Sequence, residues 1–477
     1  MVILEAIRRH SLDTPGKVAL YEGEKEVSYA CLWDHILRAA AYFTSVGRRG
    51  DRVLLAAAKS TDFVYAYFGA HLAGLIAVPI DTEINENRLK RILSSARPLH
   101  IYGHLSLGGY EVVPFPATGD FAPLPSPVFP APGEPADILF TTGTTGLPKG
   151  VVLSHANEWA AAEQINAFIG NGADAVELLA LPVSHSFGLG RLRCILQAGA
   201  TIDLLGSFAS MKKFYRELDT RGITGFGMVP ASWQYIRKMS GDKIANYASR
   251  IRYIEIGSAA MPDEEKQYLL SALPSTRICM HYGLTEASRS AFICFNEVPD
   301  RLASIGKAAP GVEIRVLDEN GGVCAPMQEG EICVKGGHVC AAYWGEHAAE
   351  YPASFYGSYF RTGDWGYAAP DGWLYLKSRK KELINVGGKK VSPIEVEEVI
   401  NEIAGVRESA CRGIPDAVLG ETVKAYVVWE GEEPPAADRI LKHAAARLEN
   451  YKVPSAVEFI AEVPKTASGK IQRLYLK

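Results

Sequence analysis

Residues 141–150, "TTGTTGLPKG", crowd four threonines, three glycines and one lysine into ten positions. Glycine backbone can turn several N–H groups toward one anion, threonine hydroxyls add donors, and Lys149 adds charge, so the stretch suits a phosphate. The same composition also builds a plain strand–turn–strand hairpin. It is not the ordinary P-loop, in which Gly-x-x-x-x-Gly-Lys is followed by Ser or Thr and opens a helix. Here Lys149 is followed by Gly150 and then by the strand-like "VVLSH". The spacing therefore points to a nucleotide phosphate held by a hairpin loop. Other chemistry-bearing residues have plain readings when taken singly. Thr285-Glu286 would cap a helix starting at "EASRS", and Asp364 in "RTGDWG" would make an Asx-turn. Tyr282 would be core packing, His185 a satisfied loop residue, and Lys470 a solvated lysine.

The elements around these residues alternate between strand and helix. Residues 32–48 carry apolar side chains at helical spacing and end near a glycine. "DRVLLAA" reads as a strand, "TDFVYAYFGAHLAG" as a helix, and the following apolar run as another strand. That order predicts βα units and a largely parallel sheet. Eight prolines between Pro114 and Pro135 mark an irregular loop. "ADILFTTG" then reads as a strand running into the glycine-rich stretch. "AVELLALPVS" and "IRYIEIGSAA" each read as a buried strand followed by a loop of small residues. Near residue 378 the composition turns charged, then glycine-rich, then helical, leaving room for a small α+β domain to the end of the chain.

Composition excludes several function classes. The 477 residues favour two or three domains, and 48% hydrophobic content supports a large core. A net charge of −4 with no basic tract does not imply nucleic acid or an anionic membrane surface as a partner. The eight cysteines are scattered without a Cys-x-x-Cys, which fits neither a zinc site nor a disulfide scaffold. Reduced, mostly structural thiols in the cytoplasm are the expected state. "MVILEAIRRHSLDTP" lacks the form of a signal peptide, and "IQRLYLK" matches no prenylation or peroxisomal signal. No apolar stretch reaches the roughly 20 residues of a membrane helix.

Seven motifs occur in one order: "TTGTTGLPKG" (141–150), "LPVSHSFGL" (181–189), "EIGSAAMP" (255–262), "HYGLTEAS" (281–288), "YFRTGDWG" (359–366), "SRKKELINVGGKKVSP" (378–393) and "PKTASGKIQR" (464–473). Together they resemble the adenylate-forming superfamily of acyl- and aryl-CoA synthetases, peptide-synthetase adenylation domains and beetle luciferases, and most of all an acyl- or aryl-CoA ligase. The resemblance covers nearly the whole chain, with residues 1–135 the least diagnostic. It implies an α/β multidomain fold. A large N-terminal AMP-binding domain (1–380) of mixed sheets and a distorted β-barrel would precede a small mobile α+β C-terminal lid (381–477), hinged near Lys381, with the active site in the crevice between them.

It also implies a chemistry. A carboxylate joins the α-phosphate of ATP and expels pyrophosphate, which calls for donors, a divalent metal and a mobile cation. By resemblance, Thr141, Thr142, Gly143, Thr144, Thr145, Gly146 and Lys149 grip the β- and γ-phosphates. Thr285 donates to the α-phosphate and Glu286 holds Mg²⁺. Gly257, Ser258, Ala259, Tyr282 and Gly283 form the adenine slot, Asp364 takes the ribose, and Arg379 reaches the ribose or phosphates. Lys470 bridges substrate carboxylate and ATP, and His185 positions or gates the acyl group. Ser378 replaces a usual glycine, Lys381 stands where aspartate is frequent, and Asn385 stands where some members have lysine.

The expected activity is ATP-dependent activation of a carboxylic acid and its transfer to coenzyme A, with a carrier protein as the alternative acceptor. A non-catalytic nucleotide-binding scaffold is the reading from a different class, disfavoured by the joint presence of Lys470, Glu286 and Asp364; nothing addresses the oxygen chemistry of a luciferase. No acid lies in Val183–Gly190 to meet an α-ammonium, and the stretches 225–233, 257–261 and 281–284 are mostly apolar or small. An aryl or medium-chain acyl acid is therefore expected. Arg191 and Arg193 are read as solvated surface residues, with an approach to a second carboxylate or phenolate as the alternative.

Overall fold

The computed structural model describes residues 1–103, 109–142, 148–431, 433–465 and 471–476, without the side chain of Thr142. By its internal contacts the chain divides into two compact units. One comprises Met1–Ile314 with Val334–Phe360, the other Arg315–Cys333 with Arg361–Lys477.

The first unit holds two large mixed sheets. In the nine-stranded sheet the order is Lys307–Ala308, Ala287–Cys294, Arg277–Leu284, Tyr253–Ile256, Gly225–Met228, Val176–Leu179, Thr201–Leu204, Val18–Glu22, Lys25–Ser28. Its centre is parallel and antiparallel hairpins close both ends. The parallel strands are short and almost wholly buried, as in "VELL", "GFGM" and "YIEI", because helices cover the sheet. The seven-stranded sheet runs Ala342–Tyr343, Pro148–Ser154, Pro135–Thr142, Ile76–Ile80, Arg52–Ala56, Ile101–Tyr102, Val112–Val113.

The alternation seen in the sequence is present: helix Tyr29–Val46, strand Arg52–Ala56, helix Thr61–Leu72, strand Ile76–Ile80. Ser28 and Ser60 start the two helices by accepting hydrogen bonds from Cys31 and Phe63 backbone N–H groups. The proline-rich stretch carries one three-residue turn of helix, Thr118–Asp120.

In the second unit, a five-stranded sheet joins Lys389–Val391, Ile384–Val386, Gly420–Trp429 and Val406–Asp416, with Ala456–Phe459 parallel to Gly420–Trp429. Its core is built from residues such as Val396, Ile400, Val423, Val427 and Ile440. These face the sheet from helices Pro393–Asn401 and Ala437–Ala445 and from the strands themselves. The unit is thus α+β.

Candidate active site

Strands Pro135–Thr142 and Pro148–Ser154, which flank the glycine-rich stretch, pair antiparallel. Thr141 pairs with Lys149 and Thr142 with Pro148, and the Thr141 hydroxyl donates to the Lys149 carbonyl at 3.4 Å. An antiparallel strand pair, not a helix N-terminus, flanks the motif. Gly143, Thr144, Thr145, Gly146 and the side chain of Thr142 lie outside the described residues. Gly150 has to be glycine: a Cβ there would come within 2.9 Å of the Trp344 Cβ and 3.0 Å of Ile138. Lys149 does not float in solvent. Its Nζ lies 3.0 Å from Glu350 Oε2 and 3.5 Å from the centroid of the Tyr343 ring, a cation–π contact.

Thr285 and Glu286 form the two-residue turn between strands Arg277–Leu284 and Ala287–Cys294, with Leu284 opposite Ala287. The helix-cap reading of Thr285-Glu286 is therefore wrong. "ASRS" continues as a strand because Ala291 and Phe292 pair with Tyr282 and His281. Both residues of the turn are partly exposed. The Glu286 carbonyl accepts from the Cys340 N–H at 2.7 Å. Burial pushes the Cys340 thiol and Tyr343 hydroxyl up, and the Glu286 carboxylate pushes both further. Glu286 thus shares the neighbourhood of Tyr343 with Lys149. Gly283 fits a bulge in which a Cβ would sit 2.4 Å from the Arg289 backbone nitrogen.

The adenine-slot candidates sit beside this turn. Strand Tyr253–Ile256 is parallel to Arg277–Leu284, with Ile256 opposite Met280. Gly257, Ser258 and Ala259 therefore leave one strand end next to His281, Tyr282 and Gly283. A Cβ on Gly257 would lie 2.0 Å from the His281 ring. Ser258 adopts φ 75°, a left-handed conformation unusual for a side-chain-bearing residue. Tyr282 is buried, 8% exposed. After the next two parallel strands, helix Pro230–Ser240 starts just beyond Met228 and the loop 180–185 follows Leu179, so both emerge at the same edge. His185 is the exposed residue just before helix Ser186–Ala198. Ligands of open α/β sheets bind at such carboxyl ends.

In the second unit, Asp364 and Arg379 face each other across a hairpin and form an ion pair with Nε to Oδ1 at 2.9 Å. The Arg379 guanidinium also donates to the Thr362 carbonyl at 3.1 Å. Lys470 lies outside the described residues.

The surface reading of Arg191 and Arg193 is overturned: their exposures are 0% and 5%. Arg191 Nε donates to Glu177 at 2.8 Å and its Nη1 to Glu255 at 3.1 Å. Glu255 also accepts from Arg289 Nε at 3.1 Å and lies 2.7 Å from His281 Nδ1. Arg289 in turn donates to the Ser186 and Phe187 carbonyls, each at 2.9 Å. Arg193 pairs with Asp137, and with Glu158 at 2.9 Å. Two such arginines stay inside because each carries its own carboxylates. Sequence reasoning missed Glu177, Glu255 and Arg289. The available signal was a glutamate inside each fully apolar strand, in "VELL" and "YIEI".

The turn at Glu286 offers a hard cation oxygen donors, a partly exposed carboxylate beside a threonine hydroxyl. Among the described residues, His71, His155 and Glu158 bring ligand atoms within 4.8 Å of one another, but Arg193 already occupies Glu158 with its own positive charge.

A model of the AMP-binding enzyme family matches residues 7–344. The chain belongs to the AMP-binding enzyme family. Residues 395–470 match the C-terminal domain of the same family. A long-chain-fatty-acid–CoA ligase of Mycobacterium tuberculosis is 31% identical over 99% of this chain and 97% of its own length. A 2-succinylbenzoate–CoA ligase of Bacillus cereus is 28% identical over 97% and 96%. The o-succinylbenzoate CoA synthetase of Bacillus subtilis, in complex with ATP and a magnesium ion, superposes with TM-score 0.88 at 25% identity over 99% of this chain and 98% of its own. Among the described residues, no helix is long and apolar enough to cross a membrane.

Proposed function

We propose that this member of the family activates an aryl or medium-chain acyl acid as its adenylate and transfers the acyl group to coenzyme A. The reaction class is ATP-dependent acid–CoA ligation with release of AMP. The observation that carries the site is the convergence of Gly257–Ala259, Tyr282–Glu286 and the His185 loop at one edge of the nine-stranded sheet. Relatives act on fatty and succinylbenzoic acids by name, and one has been captured with its acyl-adenylate.

In this assignment Lys149 and Thr141, Thr142, Gly143, Thr144, Thr145 and Gly146 hold the β- and γ-phosphates, and Thr285 donates to the α-phosphate. Glu286 would hold Mg²⁺, whose charge offsets that of the pyrophosphate leaving group. Gly257, Ser258 and Ala259 lie flat against the adenine with Tyr282 and Gly283 beside them. Asp364 accepts the ribose hydroxyls, with Arg379 fixing its orientation. Lys470 polarises the α-phosphate, and His185 gates the acyl entry. Residues 1–380 form the AMP-binding domain and 381–477 the lid. A cytoplasmic location accords with this substrate set.

The test is a panel of acids assayed for pyrophosphate release with and without coenzyme A. α-Amino acids are expected to be poor substrates. Ser186 stands where an ammonium would need a carboxylate, and a buried unpaired ammonium costs several kcal/mol. Glu177 and Glu255, the acids that reach helix Ser186–Ala198 from the strands, are already engaged by Arg191 and Arg289. Exchange with an amino acid at a specificity constant above every aryl and fatty acid would overturn the substrate class. Adenylation without consumption of coenzyme A would point to a carrier protein as acceptor.

Lys381→Pro is expected to spare adenylation and slow thioester formation. Lys381 lies in the short helical turn Lys380–Glu382, and proline fixes φ near −65° there. Single-turnover rates of the two half-reactions check this. Both rates unchanged would remove Lys381 as the hinge.

A further inference from the structure

Cys279 and Cys294 stand directly opposite each other on strands Arg277–Leu284 and Ala287–Cys294. The Phe295 N–H donates to the Ile278 carbonyl at 2.9 Å. That makes 278/295 a hydrogen-bonded pair, so 279/294 is the adjacent non-hydrogen-bonded pair. Cα atoms of such a pair lie about 4.5 Å apart, with side chains on one face. A disulfide accepts Cα separations of about 4.4–6.8 Å. Both thiols are free, and the Cys294 thiol donates to Asn296 Oδ1 at 4.0 Å. They are 0% and 2% exposed. Yet the neighbouring Arg277–Glu297 ion pair is open to solvent, with side chains 36% and 58% exposed.

We propose that Cys279 and Cys294 form a reversible cross-strand disulfide under hydrogen peroxide, and that this crosslink slows adenylation. The adjoining Cys279 thiol pulls the Cys294 thiol down, with Arg277 adding to it, whereas the other seven are pushed up, Cys279 first by its contact with Cys294 and the remaining six first by burial. Cys294, the less deeply buried of the two at 2% exposure, is thus the thiolate that attacks. Its sulfur displaces hydroxide from peroxide and becomes a sulfenic acid, the hydroxide leaving as water after protonation. The Cys279 sulfur then attacks the Cys294 sulfur, the S–S bond forms, and the sulfenic oxygen leaves as a second water. Two thiols are oxidised and one peroxide is reduced. The crosslink ties the base of the hairpin whose tip is Thr285–Glu286, and so restricts how that turn closes on its ligand. This consequence rests on the adenylating role assigned above; the crosslink itself does not.

The full-length chain is treated with hydrogen peroxide, denatured, alkylated and digested for mass spectrometry. A joined pair of peptides containing Cys279 and Cys294, lighter by two hydrogens and released by dithiothreitol, is the expected product. Adenylation should fall several-fold and return with dithiothreitol. Cys294→Ser and Cys279→Ser should each retain their rate through peroxide. Full alkylation of both thiols, or their separate oxidation to acids, would overturn the disulfide. A crosslink formed at unchanged adenylation rate would overturn the regulatory step while leaving the enzymatic assignment standing.

Discussion

Lys470→Ala should reduce adenylate formation by about three orders of magnitude, ~4 kcal/mol of transition-state stabilisation. Supplied acyl-adenylate should still be converted to thioester near the parent rate. The reason is chemical. Negative charge builds on the α-phosphate and leaving group only while the carboxylate attacks. A cation placed there lowers that barrier and no other. Once the adenylate exists, the acceptor thiol displaces AMP, a step in which this lysine has no assigned part. The described residues on either side of it are paired with one another. Lys465 and Ile471 form an antiparallel bridge, and the Gln472 N–H donates to the Pro464 carbonyl at 2.8 Å. An alanine at 470 therefore leaves this pairing in place. Rapid-quench measurement of each half-reaction checks the split. Equal loss in both, with the chain still folded, would remove Lys470 from its role.

Much of the local backbone around the candidate site was legible because its residues sit in short contiguous motifs. The hairpin reading of 141–150 needed only the glycine after Lys149. The strand-then-loop reading of "IRYIEIGSAA" matches strand Tyr253–Ile256 followed by Gly257. Partners distant in sequence were not legible. Arg191 is 64 residues from Glu255 and Arg193 is 56 from Asp137. An arginine without a visible carboxylate reads as exposed, since isolated charges are rarely buried. The Thr285-Glu286 turn misled for a related reason. A threonine followed by glutamate favours a helix start locally, but pairing with the neighbouring strand decides the conformation.

Glu255→Gln is expected to destabilise the first unit by ~3–5 kcal/mol, the cost of leaving buried charge uncompensated. Glu255 is 0% exposed and serves Arg191, Arg289 and His281 together. Glutamine keeps the shape but offers Arg289 no charge, and Arg191 retains only Glu177. Arg289 is the more vulnerable of the two. It is 1% exposed, holds φ 58°, and ties the Ser186 and Phe187 carbonyls to the strand after the Thr285–Glu286 turn. Removing both charges together should cost less than removing one, so Glu255→Gln with Arg289→Met should regain part of the loss. The pH dependence has a definite sign. Burial pushes the Glu255 carboxyl up, but Arg289, Arg191 and His281 outweigh it and hold the group well below the usual carboxylate range. Its folded pKa is thus below its unfolded one, near 4.3 for glutamate, and the stabilisation is whole above about that pH and lost as pH falls further. Urea midpoints from neutral pH down to the acid limit should therefore fall more steeply for the parent than for Glu255→Gln. Equal slopes, or a double variant as unstable as the sum of its parts, would mean that Glu255 is not the shared counter-ion of this cluster.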